Sequence, residues 1–183
     1  MSSSPLKYRH IIALGTNLGN LERNLDLCFQ AFASHQNGIK IVRKSRRLLT
    51  APLQSEEYDT SDHGSYLNMV AEIISKHNPQ ALYDEVILPI ENRIGHDRNR
   101  RWAPRKLDLD ILLSSYNDGK DFSSSTWITW KDRRQGSIVV PHKQLCKREF
   151  LLKLIRGDLQ ICWPKKTTGL TLSRGKNSKI KLS

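Results

Sequence analysis

The chain has 183 residues, 30 Lys+Arg against 18 Asp+Glu for a formal charge of +12, and a hydrophobic fraction of 38%, enough for one core in one domain. No apolar run approaches the roughly 20 residues a membrane helix needs, the first ten residues contain no signal-peptide core, and three distant cysteines (Cys28, Cys146, Cys162) suit neither a disulfide framework nor a CxxC metal site. Membrane, disulfide-rich secreted and zinc-ribbon classes are set aside, leaving the expectation of a cytoplasmic protein with an anionic partner.

Residues 8–14 predict a buried strand, and Gly15-Thr-Asn-Leu-Gly-Asn20 a strand-to-helix turn. Leu21, Leu25, Cys28 and Phe32 follow at 4, 3, 4 spacing, an amphipathic helix. Residues 39–49 read as a strand and 50–65 as a long loop of the kind that is functional in a small domain. Over 66–74, Leu67, Met69, Ala71 and Ile73 alternate with Tyr66, Asn68, Val70 and Glu72, so the two sets take opposite faces of a strand. Asn78-Pro79 opens a helix marked by Leu82, Val86, Ile90 and Ile94. Pro89 should kink or interrupt that helix and Gly95 should end it. A basic loop (96–105), a strand (106–113), a polar insertion (114–136), a short strand (138–140) and a last helix (143–156) complete the domain. The order βαββαβ predicts an α+β, ferredoxin-like antiparallel sheet with helices packed on it. One domain is expected over 1–163, and 164–183, with six Lys or Arg and no acid, a flexible basic tail.

The most informative stretch is Arg101-Trp-Ala-Pro-Arg-Lys-Leu-Asp-Leu-Asp-Ile-Leu112. In a strand, Leu107, Leu109, Ile111 and Leu113 face one side and bury, while Asp108 and Asp110 face the other. Their Cα atoms then lie about 6.6 Å apart, from a rise of roughly 3.3 Å per residue. Two carboxylates at that spacing can share hard cations, and magnesium favours a few carboxylates plus phosphate oxygens. An isolated Asp-x-Asp is more often a solvated strand face. Here Arg98, Arg100, Arg101, Arg105 and Lys106 stand beside it, and carboxylates, metal and guanidinium groups together are what a polyphosphate requires. The glycine turn at 15–20 is not a phosphate-binding P-loop, since it lacks GxxxxGK[ST].

Ala13-Leu-Gly-Thr-Asn-Leu-Gly19, Thr50-Ala-Pro-Leu53, Tyr66-Leu-Asn68, the Arg101–Leu112 stretch, Pro141-His142 and Arg148-x-Phe150, in that order, resemble the 6-hydroxymethyl-7,8-dihydropterin pyrophosphokinases of folate biosynthesis over about residues 8–156. The resemblance implies transfer of the pyrophosphoryl group of ATP, the co-substrate, to the pterin hydroxymethyl oxygen with release of AMP. It implies that Asp108 and Asp110 hold two magnesium ions, with Arg98 and Arg105 as catalytic partners. It implies that Thr50, Pro52, Leu53 and Asn68 contact the pterin, with Tyr66 and Phe150 sandwiching its ring. Glu91, Arg98, Trp102, Arg105, Ile111, His142 and Arg148 would meet the nucleotide, and loops 50–65 and 96–105 would close over both substrates. Asp108 is the nearest candidate to accept the hydroxyl proton.

The chain departs from the family's common residues at Ala51, Leu88, His96, Ser137, Val139 and Lys143, mostly on the nucleotide side, so altered ATP affinity is expected rather than lost chemistry. A monomer acting on small molecules is expected, without membrane or nucleic-acid partners. Two alternatives stand beside this reading. One is a basic RNA-binding module, for which no RNP1-like signature is visible. The other is a two-metal nuclease using the aspartate pair.

Overall fold

The computed structural model describes residues 6–34, 38–52, 63–95, 103–118, 127–131, 138–162 and 179–180. The insertion's remainder at 119–126 and 132–137 and nearly all of the basic tail lie outside the described residues.

Strand β1 (Tyr8–Thr16) sits at the centre of an antiparallel sheet, between β4 (Tyr66–Ser75) and β5 (Asp108–Tyr116). The sheet continues outward from β4 to β2 (Ile39–Lys44) and from β5 to β6 (Trp127–Ile128) and β9 (Lys179–Ile180); β3 (Leu48–Thr50) also pairs with β4. The fold is α+β, as expected. The predicted strand over 39–49 is two strands, because the Ser45 hydroxyl accepts the Val70 N–H at 2.9 Å and the Ser45 N–H turns to the Val70 carbonyl at 2.9 Å. The strand expected to stop at residue 113 runs to Tyr116, so the insertion does not begin at 114: Ser114 and Ser115 are buried sheet residues. Trp127–Ile128 and β7 (Trp130–Lys131), which pairs with β8 (Val139–Val140), also fall within the expected insertion.

The two faces of the sheet are covered differently. Ile12, Leu14, Leu67, Met69, Ala71, Ile73, Leu109 and Ile111 form one core with α1 (Leu21–Ser34), α2 (Pro79–Leu82) and α3 (Leu88–Ile94). Ile11, Ala13, Val70, Leu112 and Leu113 form a second core with α4 (Glu149–Lys153) and the π-helical turn after it, Leu154–Asp158. The alternation read in β4 holds on both faces. Leu113 does not follow its expectation. A β-bulge shifts the register between Ile11 and Ile12, so that Ile12 faces Ile111 and Ile11 faces Leu113. The extra residue, Leu112, restores Leu113 to the second face.

Asn78 caps α2, its Oδ1 accepting the Ala81 N–H at 2.9 Å ahead of Pro79, as the sequence predicts. Pro89 interrupts the α pattern without ending the helical run, as expected. The turn before it, Tyr83–Ile87, widens to π geometry, and Pro89 enters the first turn of α3, where its missing N–H costs least. Gly95 ends α3 at φ 118°, a conformation that strains other residues.

At the sheet end holding the start of β1, His10 is fully buried. Its Nε2 contacts the His77 carbonyl at 3.1 Å and its Nδ1 the Ser114 hydroxyl at 2.8 Å. A carbonyl only accepts, so Nε2 carries a proton; complete burial keeps the ring neutral, so Nδ1 accepts the Ser114 O–H. Burial holds the imidazole down at about 3, whereas an unfolded-chain histidine titrates near 6.5. Below pH 6.5 the unfolded chain binds the extra proton, so this contribution is complete above that pH and is lost progressively as pH falls toward 3. Between pH 7 and pH 5 we expect His10 to cost the fold ~2 kcal/mol. Urea unfolding at the two pH values should show a pH sensitivity smaller by that amount in His10→Gln, and equal sensitivity in both proteins would contradict the assignment.

Candidate active site

The register of the central strands builds a floor on the face that carries the second core. Gly15 of β1 pairs with Asn68 on one side and Asp108 on the other. Ala13, two residues earlier and therefore on the same face, pairs with Val70 and Asp110. Two small residues thus separate Asn68 from the aspartates and leave the floor open. A Cβ on Gly15 would meet Asn68 Oδ1 at 3.2 Å, a tight contact that would press on the Asn68 amide, and no unusual φ is involved. Thr50 and Ala51 form one wall with Tyr66; Arg148, Phe150 and Leu151 from the start of the last helix form another.

The cleft brings together Thr50, Tyr66, Asn68, Arg105, Asp108, Asp110, Arg148 and Phe150, eight of the residues singled out in the sequence. Asn68 Nδ2 donates to Thr50 Oγ1 at 2.8 Å, which aims the rest of its amide over the floor. Arg105 Nη1 donates to Asp108 Oδ1 at 2.8 Å, and Arg148 Nη1 to Asp110 Oδ2 at 3.3 Å. His142 Nε2 stands 3.7 Å from Asp110 Oδ1. The Gln144 N–H donates to His142 Nδ1 at 3.3 Å, which leaves the ring proton on Nε2, toward the carboxylate. Burial, and then the Asp108 carboxylate, push the Asp110 carboxyl above the usual carboxylate range, against the pull of His142, Arg148 and Arg105. Two arginines pair with the two aspartates at this corner, and it is chiefly burial that disfavours the ionised form of Asp110.

Asp110 also lines a second hollow, with Tyr83, Leu109, Ile111, Ile138, Val139, His142 and Lys143. Aliphatic side chains and Tyr83 share its walls with Asp110, His142 and Lys143, and His142 is the one recorded beside the aspartate. The expected nucleotide residues Ile111 and His142 are both here. Tyr83 and Ile138 were not expected; Tyr83 comes from the π turn, which no local pattern in the sequence announces. Ala13, Gly15 and Leu151 are likewise site residues that the sequence reading passed over. The small-x-small pattern at 13 and 15, on the face opposite Ile12 and Leu14, is the signal that could have found the first two.

Glu91 lines neither hollow. It is 2% exposed, and its Oε1 accepts the Leu109 N–H at 2.7 Å. Leu109 lies between the two aspartates, so Glu91 braces the strand that carries them from behind. Pro52 is half-buried but not part of the cleft lining. Leu53, Arg98 and Trp102, and the departure at His96, lie outside the described residues.

Residues 11–157 match the family model described as 7,8-dihydro-6-hydroxymethylpterin-pyrophosphokinase. The chain belongs to this family. It is 32% identical over 142 residues to the 2-amino-4-hydroxy-6-hydroxymethyldihydropteridine pyrophosphokinase of Bacillus subtilis, covering 77% of this chain and 72% of that protein. To the enzyme of that name from Haemophilus influenzae it is 33% identical over 141 residues, covering 77% and 75%. It is also 30% identical over 145 residues to a folate synthesis bifunctional protein of Chlamydia trachomatis, of which it spans 29%. Every cleft side chain described above lies within the residues matching the pyrophosphokinase family.

The brace gives a test. Glu91→Ala leaves the buried Leu109 N–H without its acceptor and should lower stability by about 1–3 kcal/mol, whereas Glu91→Gln, which keeps a carbonyl oxygen, should recover most of it. Denaturant midpoints of both variants check this. A weaker nucleotide interaction with unchanged stability would return Glu91 to the nucleotide role expected from the sequence.

Proposed function

We propose that this chain transfers the pyrophosphoryl group of ATP to the hydroxymethyl oxygen of 6-hydroxymethyl-7,8-dihydropterin, giving AMP and the pterin diphosphate for folate biosynthesis, and that it does so across Asp110. The reaction is that of its family. The single observation behind the site assignment is that Asp110 lines both hollows, one holding Tyr66, Phe150 and Asn68 and the other Tyr83, Ile111, Ile138 and His142.

In this reading the pterin occupies the floor between Tyr66 and Phe150, whose rings suit a flat heterocycle. Asn68 and Thr50 address its polar edge, with Pro52 and Leu53 continuing that wall. The nucleotide occupies the second hollow, its base against Tyr83, Ile111 and Ile138, and its phosphates run toward His142, Arg148 and Arg105. Arg98 and Trp102 keep the phosphate and lid roles that the resemblance implies.

The donor set suits magnesium. Asp108 and Asp110 offer only oxygens, and no cluster of three or more His, Cys, Asp or Glu ligands occurs among the described residues. Such a pair leaves most positions of a cation to water and phosphate oxygens, which magnesium prefers. A cation there would also favour the ionised form of Asp110, which burial disfavours. Asp108 and Asp110 would hold two magnesium ions, which would supply charge neutralisation to the phosphates. The protein's own task is then positional. Arg105 and Arg148 hold the two carboxylates on one face and can share their remaining N–H groups with phosphate oxygens. Asp108 is placed to accept the hydroxyl proton, and the open floor beside it leaves room for the attacking oxygen to approach the phosphorus in line. The reaction takes place on a monomer in the cytoplasm; Cys28 and Cys146 are free thiols, and no helix among the described residues is long and apolar enough to cross a membrane.

AMP formation should depend on both magnesium and the dihydropterin alcohol. Asp108→Ala and Asp110→Ala should each lower turnover by about 1000-fold, the scale of losing several kcal/mol of charge stabilisation, while the variants stay folded. Near-normal turnover in either variant would overturn the assignment.

A further inference from the structure

The turn Thr16-Asn-Leu-Gly-Asn20 overlaps the Ala13–Gly19 match, yet it supplies no side chain to either hollow. Two asparagines, Asn17 in the turn and Asn24 in α1, hold it in place. Asn24 of α1 reaches back to the turn, Nδ2 donating to Thr16 Oγ1 at 3.0 Å and to the Leu18 carbonyl at 2.8 Å, so the turn is fixed to the first helix. Asn17 reaches forward. Its main-chain N–H donates to the Arg105 carbonyl at 3.1 Å, and its side-chain Oδ1 accepts the Arg105 main-chain N–H at 2.8 Å.

Both main-chain polar groups of Arg105 are thereby taken by one residue. The β1–β5 ladder ends at Gly15 and Asp108, and the Asn17 side chain supplies the acceptor that a further backbone rung would have offered. Beyond this clamp the Lys106 N–H donates to the Gly95 carbonyl at 3.2 Å, securing the next residue to the end of α3. The Arg105 side chain then reaches Asp108 at 2.8 Å. Asn17 is 8% exposed, and its Nδ2 has no hydrogen-bond partner among the described residues. A buried amide with an unused donor is retained at some cost, so the acceptor side of this residue is what the position uses.

We propose that Asn17 is a positioning residue for pyrophosphoryl transfer: by holding the main chain of Arg105 it fixes where the Arg105 guanidinium meets Asp108 and the phosphates. The proposal rests on the site reading above. It names a role that the cleft lining does not reveal, since Asn17 touches neither hollow. Asn17 has no contact with Asn68, Thr50 or Phe150 among the bonds described, so its loss should act on the rate and leave pterin binding alone.

The test is a mutant cycle read in single turnover, on the fraction of protein that binds the dihydropterin alcohol, so that misfolded chains do not enter the rate. Asn17→Ala should slow the step by about 10- to 100-fold, the usual scale for a displaced catalytic group, with the dissociation constant for the pterin changed by less than about threefold. Asn17→Asp, which keeps the acceptor oxygen, should restore most of the rate. In the Arg105→Ala background the Asn17→Ala change should add less than about threefold, because the group it positions is gone. Multiplying effects in the double variant, or Asn17→Asp as slow as Asn17→Ala, would overturn the proposal while leaving the site reading intact. Full activity in Arg105→Ala would overturn both.

Discussion

Two carboxylates two residues apart on one strand repel each other, and much of this molecule is arranged around keeping them side by side. Asp108 and Asp110 face the same way because β5 is extended there and pairs with β1 along its length. Arg105 and Arg148 approach from opposite sides, one from the segment before the strand and one from the start of the last helix. Their attraction does not fully relieve the crowding at Asp110. A cation bound at the carboxylate pair would favour the ionised form that burial disfavours at Asp110, and phosphate oxygens can complete the cation's shell.

The rest of the fold gives this corner its two sides. The sheet face carrying the aspartates is kept open by Ala13 and Gly15 and closed at its far end by Ile11, Leu112 and Leu113 under the last helix. The opposite face is packed with α1 and α3, and from there Glu91 holds the amide between the two aspartates. Asp110 belongs to both hollows because β5 forms the boundary between them. A pyrophosphokinase must bring a pterin alcohol and a nucleotide to one phosphorus atom, and a shared wall is a direct way to do so.

Much of this was legible in the sequence for a simple reason. Period-2 alternation in β4 and β5 names the faces, and once Asp108 and Asp110 fall opposite Leu107, Leu109 and Ile111, their role as a pair is constrained. The aromatic and amide residues of the cleft came through the family resemblance, and the register then placed Asn68, Gly15 and Asp108 in one row. What escaped was whatever depends on a local irregularity. The bulge at Leu112 reverses the face of Leu113, and no pattern in Asp-Ile-Leu-Leu signals one extra residue. The π turn before Pro89 keeps the helix running and turns Tyr83 into the second hollow. Glu91 reads equally well as a ligand contact or as a strand brace, and only its distance to the Leu109 amide separates the two. Asn17 looks like any turn residue until its side chain is found doing the work of a backbone carbonyl.

The central claim is that Asp110 joins the two substrate hollows through divalent cations, and calorimetric titration of the dihydropterin alcohol tests it most directly. The titration is run with a saturating non-hydrolysable ATP analogue, with and without magnesium, on the wild-type chain and Asp110→Asn. The account predicts that pterin binding tightens by about tenfold or more with nucleotide and magnesium together, the usual scale of coupling between two sites, and that Asp110→Asn loses this gain. Equal pterin affinity in the wild-type chain under all conditions would contradict it.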